Sequence, residues 1–203
     1  VDGDGDGDES FGWWLRTSDD PIIYTGLEPT FKSLAEILRA QGPFDGVMGF
    51  SQGGALAGLL ASALETDRVF PETELGFPSP LDDGSGRRCH PPFRFAVIYS
   101  GFRVMDARCR AFYDKEGGIA ETKILHFIGG VDSVVDEGRS RALVDACGRD
   151  GKKVVIHPGG HFLPSQRPWL DACVGFVREA MMEPRLTTET ATEEKVEDME
   201  VPF

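Results

Sequence analysis

The 203-residue chain holds 21 basic and 34 acidic residues, a net charge of −13, and is 40% hydrophobic. That length and apolar content fit one domain around one core. The negative balance argues against a nucleic-acid or anionic-membrane partner, and no apolar run reaches the roughly 18 residues of a membrane span.

The charge is unevenly spread. Residues 1–10 contain five acids and no base, and residues 183–203 contain seven acids against Arg185 and Lys195. The body between them carries 19 bases and 22 acids, so it is nearly neutral. Residues 1–182 therefore read as the folded domain, opened by an acidic loop at 1–10, and 183–203 as a disordered acidic tail. Cys89, Cys109, Cys147 and Cys173 are widely spaced with no C-x-x-C pair, as expected of reduced thiols in a cytoplasmic protein. No signal-peptide pattern opens the chain, although Val1 is not expected to be its true start.

The repeated Asp-Gly of residues 2–9 invites a calcium-loop reading, but the spacing fails. Counting from Asp2 puts Trp13 where a loop of that kind needs Glu, and counting from Asp4 puts Glu9 where it needs Gly. No metal is expected there. The aromatic-rich stretch Phe11-Gly12-Trp13-Trp14-Leu15 is either a flap over a pocket or a set of core anchors, anchoring being the commoner outcome. Pro29 sits in the first turn of a helix that runs to about Gln41, with Phe31, Leu34, Ala35, Ile37 and Leu38 as its apolar stripe. Gly42-Pro43 stops it.

A strand-type run then ends at Gly49, Ser51 stands between glycines, and a small-residue helix follows from Gly53 to Glu65. Gly49-Phe50-Ser51-Gln52-Gly53 is the G-x-S-x-G elbow pattern. The turn must be sharp enough that residues two before and two after the serine crowd each other, which favours glycine. It exposes the Ser51 hydroxyl at a helix N-terminus, with the backbone N–H of Gln52 as an oxyanion donor.

Residues 66–92 are Pro-rich and read as a long loop. Strands are expected at Phe93–Ser100, Lys123–Ile128 and Lys153–His157. Helical stretches are expected at Ala107–Lys115, Asp136–Gly148 and Trp169–Met182. Strands alternating with helices predict an α/β protein with a mostly parallel sheet and helices on both faces. Ser51, Asp132 and His161 each follow a strand, where such sheets gather their sites.

A serine hydroxyl needs a base, and an imidazole base needs a carboxylate on its other nitrogen. Ser51…Asp132…His161 supplies that set in the order used on α/β-hydrolase sheets. Of the other histidines, His90 lies in a Pro-rich loop, His126 is mid-strand, and His157 closes the last strand and is the main competitor. Gly159-Gly160 gives the His161 loop the freedom to reach over the sheet. Asp136 sits where a helix wants its N-cap, and Asp145 belongs on a polar helix face.

Four stretches together resemble the FSH family of serine hydrolases: residues 49–54, Pro91-Pro92-Phe93 through Ser100-Gly101-Phe102, Gly130–Val135, and His157–Pro164. The resemblance covers about residues 11–180. It implies an α/β-hydrolase fold and an esterase or thioesterase that uses Ser51, Asp132 and His161 without a cofactor. Phe50, Phe102 and Phe162, beside these motifs, are the candidate substrate-lining residues. The implied substrate is a small-molecule ester or thioester, with an acyl-carrier or polyketide synthase as a candidate partner. The family opens with a strand and a Leu-His-Gly-like turn that supplies one oxyanion amide. Nothing like it precedes Ser51, so the fold is expected to be N-terminally incomplete, with the nucleophile strand at a sheet edge. The alternative is a catalytically weak remnant that serves as a binding domain.

Overall fold

A computed structural model describes residues 12–65, 81, 88–114, 118–148 and 151–183. The acidic head, most of the 66–92 loop and the tail from residue 184 lie outside the described residues.

The chain opens with an antiparallel pair, β1 (Leu15–Asp19) and β2 (Ile22–Thr25), followed by α1 (Leu27–Gln41). Four parallel strands then form the sheet in the order β3-β4-β5-β6: β3 (Gly46–Phe50), β4 (Phe95–Tyr99), β5 (Lys123–Gly129) and β6 (Lys152–His157). Between and after them come α2 (Gln52–Leu64), a 3-10 helix (Ala107–Phe112), α3 (Glu137–Asp145) and α4 (Arg167–Met182).

Alternation along the strands divides the core in two. Ala96 and Ile98 of β4 and Ile124 of β5 face α1, α2 and α3, packing with Phe31, Leu59, Leu64 and Leu143. Val97, Leu125 and Phe127 face the other way and receive Cys173 and Phe176 of α4. The sheet thus carries helices on both faces. β3 pairs only with β4 among the described residues, so the strand leading to Ser51 stands at an edge, and Met48 on it is 54% exposed.

α2 is the central helix. Its sequence QGGALAGLLASAL is rich in Ala and Leu and contains no β-branched residue. Every residue from Gly54 to Leu64 is buried. Leu59 and Leu64 are fully enclosed, and burial of each such side chain contributes about 1.5–3 kcal/mol. The helix stops at Glu65, whose carboxylate accepts the backbone N–H groups of Ala120, Glu121 and Thr122 just before β5.

Two elements depart from the sequence expectation. The β1–β2 pair has no signal in the sequence, because four of the five β1 side chains are exposed and leave no alternation to read. It is clipped to the 3-10 helix by Asp106, which accepts from Tyr24 N at 2.6 Å, and by Arg108, which donates to Tyr24 O at 2.6 Å. The stretch expected as a helix over 107–115 is a six-residue 3-10 helix, capped by Asp106 accepting from Arg108 N.

Candidate active site

The elbow is built as its glycine pattern requires. Ser51 has φ 53° and ψ −119°, a strained conformation for a residue with a Cβ. Ser51 N donates to Tyr99 O at 2.8 Å, which ties the turn to β4, and Ala55 N donates back to Ser51 O at 3.0 Å as α2 begins. A Cβ on Gly49 would lie 2.1 Å from Gly53 O, so that position accepts only glycine.

Three strand ends deliver three side chains to one point. Ser51 Oγ is 2.9 Å from His161 Nε2, and His161 Nδ1 is 2.8 Å from Asp132 Oδ2. An ionised carboxylate only accepts, so Nδ1 carries the imidazole proton and Nε2 is left to accept from the serine hydroxyl. Asp132 is itself held: its Oδ1 accepts from Val134 N at 2.9 Å and Val135 N at 2.8 Å. Its side chain is 1% exposed. Burial alone would raise its pKa. The amide of Val135, the His161 ring, the amide of Val134 and the Ser100 hydroxyl outweigh that and hold it below the ordinary carboxylate value.

The His161 loop is fixed by close backbone approach. A Cβ on Gly129 would meet Gly160 O at 2.6 Å and Gly159 O at 2.8 Å, so the Asp132 and His161 loops can touch only with glycine there. Phe50 lies against the imidazole, with ring centroids 4.8 Å apart.

The other histidines stand elsewhere. His157 is 2% exposed, its Nδ1 accepts from Gly159 N at 3.2 Å, and its ring packs on Phe162 and Trp169. His126 is buried beside Cys147 Sγ at 3.5 Å, with its pKa pushed down to about 4 by burial. His90 Nε2 accepts from Phe44 N. Asp136 caps α3 by accepting from Arg139 N at 3.1 Å. Among the described residues no group of three or more His, Cys, Asp or Glu side chains is placed to hold a metal ion.

The three aromatic candidates separate. Phe50 touches His161. Phe162 is 53% exposed, with its ring on His157 rather than on the imidazole of His161. Phe102 is 9% exposed and packed in the core, with the Arg139 guanidinium 4.4 Å above its ring.

Gln52 does more than offer a backbone amide. Its Oε1 accepts from Trp13 N at 2.7 Å and its Nε2 donates to Trp14 O at 2.9 Å. Trp14 is buried against Tyr24, while Trp13 is 46% exposed beside Gly53. Trp14 is thus a core anchor, as the commoner outcome for such residues has it. A side-chain link spanning 39 positions leaves no local mark in the sequence.

Comparison with known proteins agrees with this architecture. Residues 2–173 match the family described as Serine hydrolase (FSH1). Esterase OVCA2 of Danio rerio is 34% identical over 169 residues, covering 79% of this chain and 64% of the relative. Family of serine hydrolases 3 of Saccharomyces cerevisiae is 28% identical over 171 residues, covering 84% and 58%. The chain thus spans less than two thirds of either relative. Among solved structures, Zea mays acyl-protein thioesterase 2 superposes with a TM-score of 0.54 at 19% identity, covering 83% of this chain and 72% of that one, a likeness of fold. The chain adopts an α/β-hydrolase fold and belongs to the FSH1 family of serine hydrolases.

Proposed function

We infer that the protein hydrolyses carboxylic esters or thioesters of small molecules through an acyl-enzyme on Ser51. The observation that carries this reading is the continuous hydrogen-bonded chain Asp132–His161–Ser51, at 2.8 and 2.9 Å, standing on a strained elbow.

His161 Nε2 takes the Ser51 proton as Oγ attacks the acyl carbon, and Asp132 stabilises the imidazolium that forms. The oxyanion develops at the N-terminus of α2. The first amides of a helix have no partner within it, so Gln52 N–H is free to donate there. His161 then returns the proton to the departing alcohol or thiol. Water, deprotonated by the same nitrogen, attacks the acyl-enzyme and releases the acid and the serine. An acyl group delivered on a carrier protein or synthase would follow the same steps, with a thiol as the leaving group. Cys109, Cys147 and Cys173 are buried free thiols, which fits a cytoplasmic setting.

A fluorophosphonate probe tests the reading. Wild type is expected to be labelled and Ser51→Ala not. Absence of labelling in both would favour the alternative, a binding domain that keeps the fold without the chemistry.

A further inference from the structure

Two non-glycine residues among those described have positive φ: Ser51 at 53° and Ser100 at 46°. Ser100 follows β4 directly, and its N–H donates to Phe127 O at 2.9 Å, which places it over the end of β5, the strand that leads to Asp132. It is 1% exposed, and its Oγ has no hydrogen-bond partner in the observed rotamer.

The position is unfavourable three times over. A side chain is held in a left-handed backbone conformation that glycine would adopt freely, a hydroxyl is buried, and that hydroxyl is unsatisfied. Local rules broken together in this way mark a functional position. The group that gains is the Asp132 carboxylate. Its Oδ1 already takes two amides and its Oδ2 takes His161; of the four groups that hold its pKa down, only the Ser100 hydroxyl makes no bond to it in the observed rotamer.

We propose that Ser100 is a positioning residue for the Asp132–His161 pair: rotation about its Cα–Cβ bond lets the hydroxyl donate to the Asp132 carboxylate. The bond fixes the carboxylate plane and keeps it ionised, so that His161 faces Ser51 in one tautomer. The consequence for rate rests on the acyl-enzyme reading above, whereas the hydrogen bond itself does not.

Ser100→Gly is the informative variant, because glycine suits the backbone and takes away the hydroxyl together with its Cβ. With a p-nitrophenyl ester, kcat is expected to fall about ten-fold at unchanged KM, as for loss of a hydrogen bond to a charged group. The melting temperature should hold. Ser100→Ala should lose the same rate and also melt lower, since it keeps the strain.

Without its donor the carboxylate binds a proton more tightly, so the acid limb of the pH–rate profile should move to higher pH. That limb belongs to the coupled pair. Among the described residues, the other titratable or charged groups on the elements around it are His157 on β6 and, at the start of α3, Asp136 and Arg139, the last donating to Val134 O. Titration of the Asp132 carboxyl carbon by NMR reads the hydrogen bond without turnover, and its midpoint should rise in Ser100→Gly. An unchanged midpoint would overturn the proposal, as would wild-type kcat with an unmoved acid limb. A wild type without turnover would count against the reading of Ser51, and the carboxyl titration would still decide Ser100.

Discussion

Gly49 and Gly53 meet across the elbow, but only one of them has to be glycine. A Cβ on Gly49 would strike the Gly53 carbonyl at 2.1 Å, whereas a Cβ on Gly53 would meet nothing nearer than Trp13 Nε1 at 3.5 Å. The sequence pattern treats the two as equivalent, and the backbone does not. Gly49→Ala should destabilise by about 3 kcal/mol, since main chain cannot step aside, and lower the melting temperature by roughly 6–12 °C. Gly53→Ala should be neutral or gain up to about 1 kcal/mol from helix propensity. Thermal denaturation of the two variants side by side decides the point.

The side chain and the backbone of Gln52 have separable jobs. Gln52→Ala removes the links to Trp13 N and Trp14 O while leaving the backbone N–H at the helix start. It should cost about 1–2 kcal/mol and change tryptophan fluorescence as the Trp13–Trp14 segment loosens. Labelling of Ser51 by a fluorophosphonate should persist. Loss of labelling in a folded Gln52→Ala protein would show that the Trp13 segment, and not the amide alone, supports the site.

Acid should destabilise the protein through its histidines before its carboxylates. Burial holds His126 down at about 4 in the folded chain, against about 6.5 when unfolded. Between those values the unfolded state binds the extra proton, so stability falls as pH drops from about 6.5 to about 4 and then levels for this group. The full span corresponds to about 3 kcal/mol. His157, also lowered by burial, adds to the loss in the same direction. His126→Leu should flatten the curve of melting temperature against pH in that window. An equally steep curve would assign the acid sensitivity to other groups.

Asp132 acts at lower pH and with the sign of a carboxylate. Its folded pKa is depressed, so its contribution is present above the ordinary Asp value and is lost as pH falls through the folded one. Asp132→Asn should remove that low-pH dependence. At neutral pH it should reduce kcat by about 10⁴ through loss of the ionised partner and the correct tautomer. Paired measurements of melting temperature and of ester hydrolysis from pH 3 to pH 8 would show both effects.

The parts of the site that were legible in the sequence are those set by chain order and local turn chemistry. Ser51, Asp132 and His161 each follow a strand of a parallel sheet, and such strand ends converge whatever the distance in sequence. The four sheet strands were legible for a related reason: each is a short apolar run bounded by Gly, Pro or charge. What escaped depends on contacts between distant segments. β1 is mostly exposed and pairs with β2, whose Tyr24 is bonded to Asp106 and Arg108 from 82 and 84 positions away. The neighbours of Phe102 in sequence place it at a strand end, and its burial beneath the Arg139 guanidinium leaves no mark in them. The positive φ of Ser100 has no signature in residue type, since serine is an ordinary residue after a strand.

The central claim is that the hydroxyl of Ser51 becomes covalently acylated. Rapid mixing with a p-nitrophenyl ester, followed by acid quench and peptide mass analysis, observes that bond directly. The account predicts a burst of p-nitrophenol approaching one per chain, with the acyl mass on the peptide that contains Ser51 and no adduct in Ser51→Ala. Steady hydrolysis with no adduct on that peptide, or an adduct that survives the substitution, would contradict it.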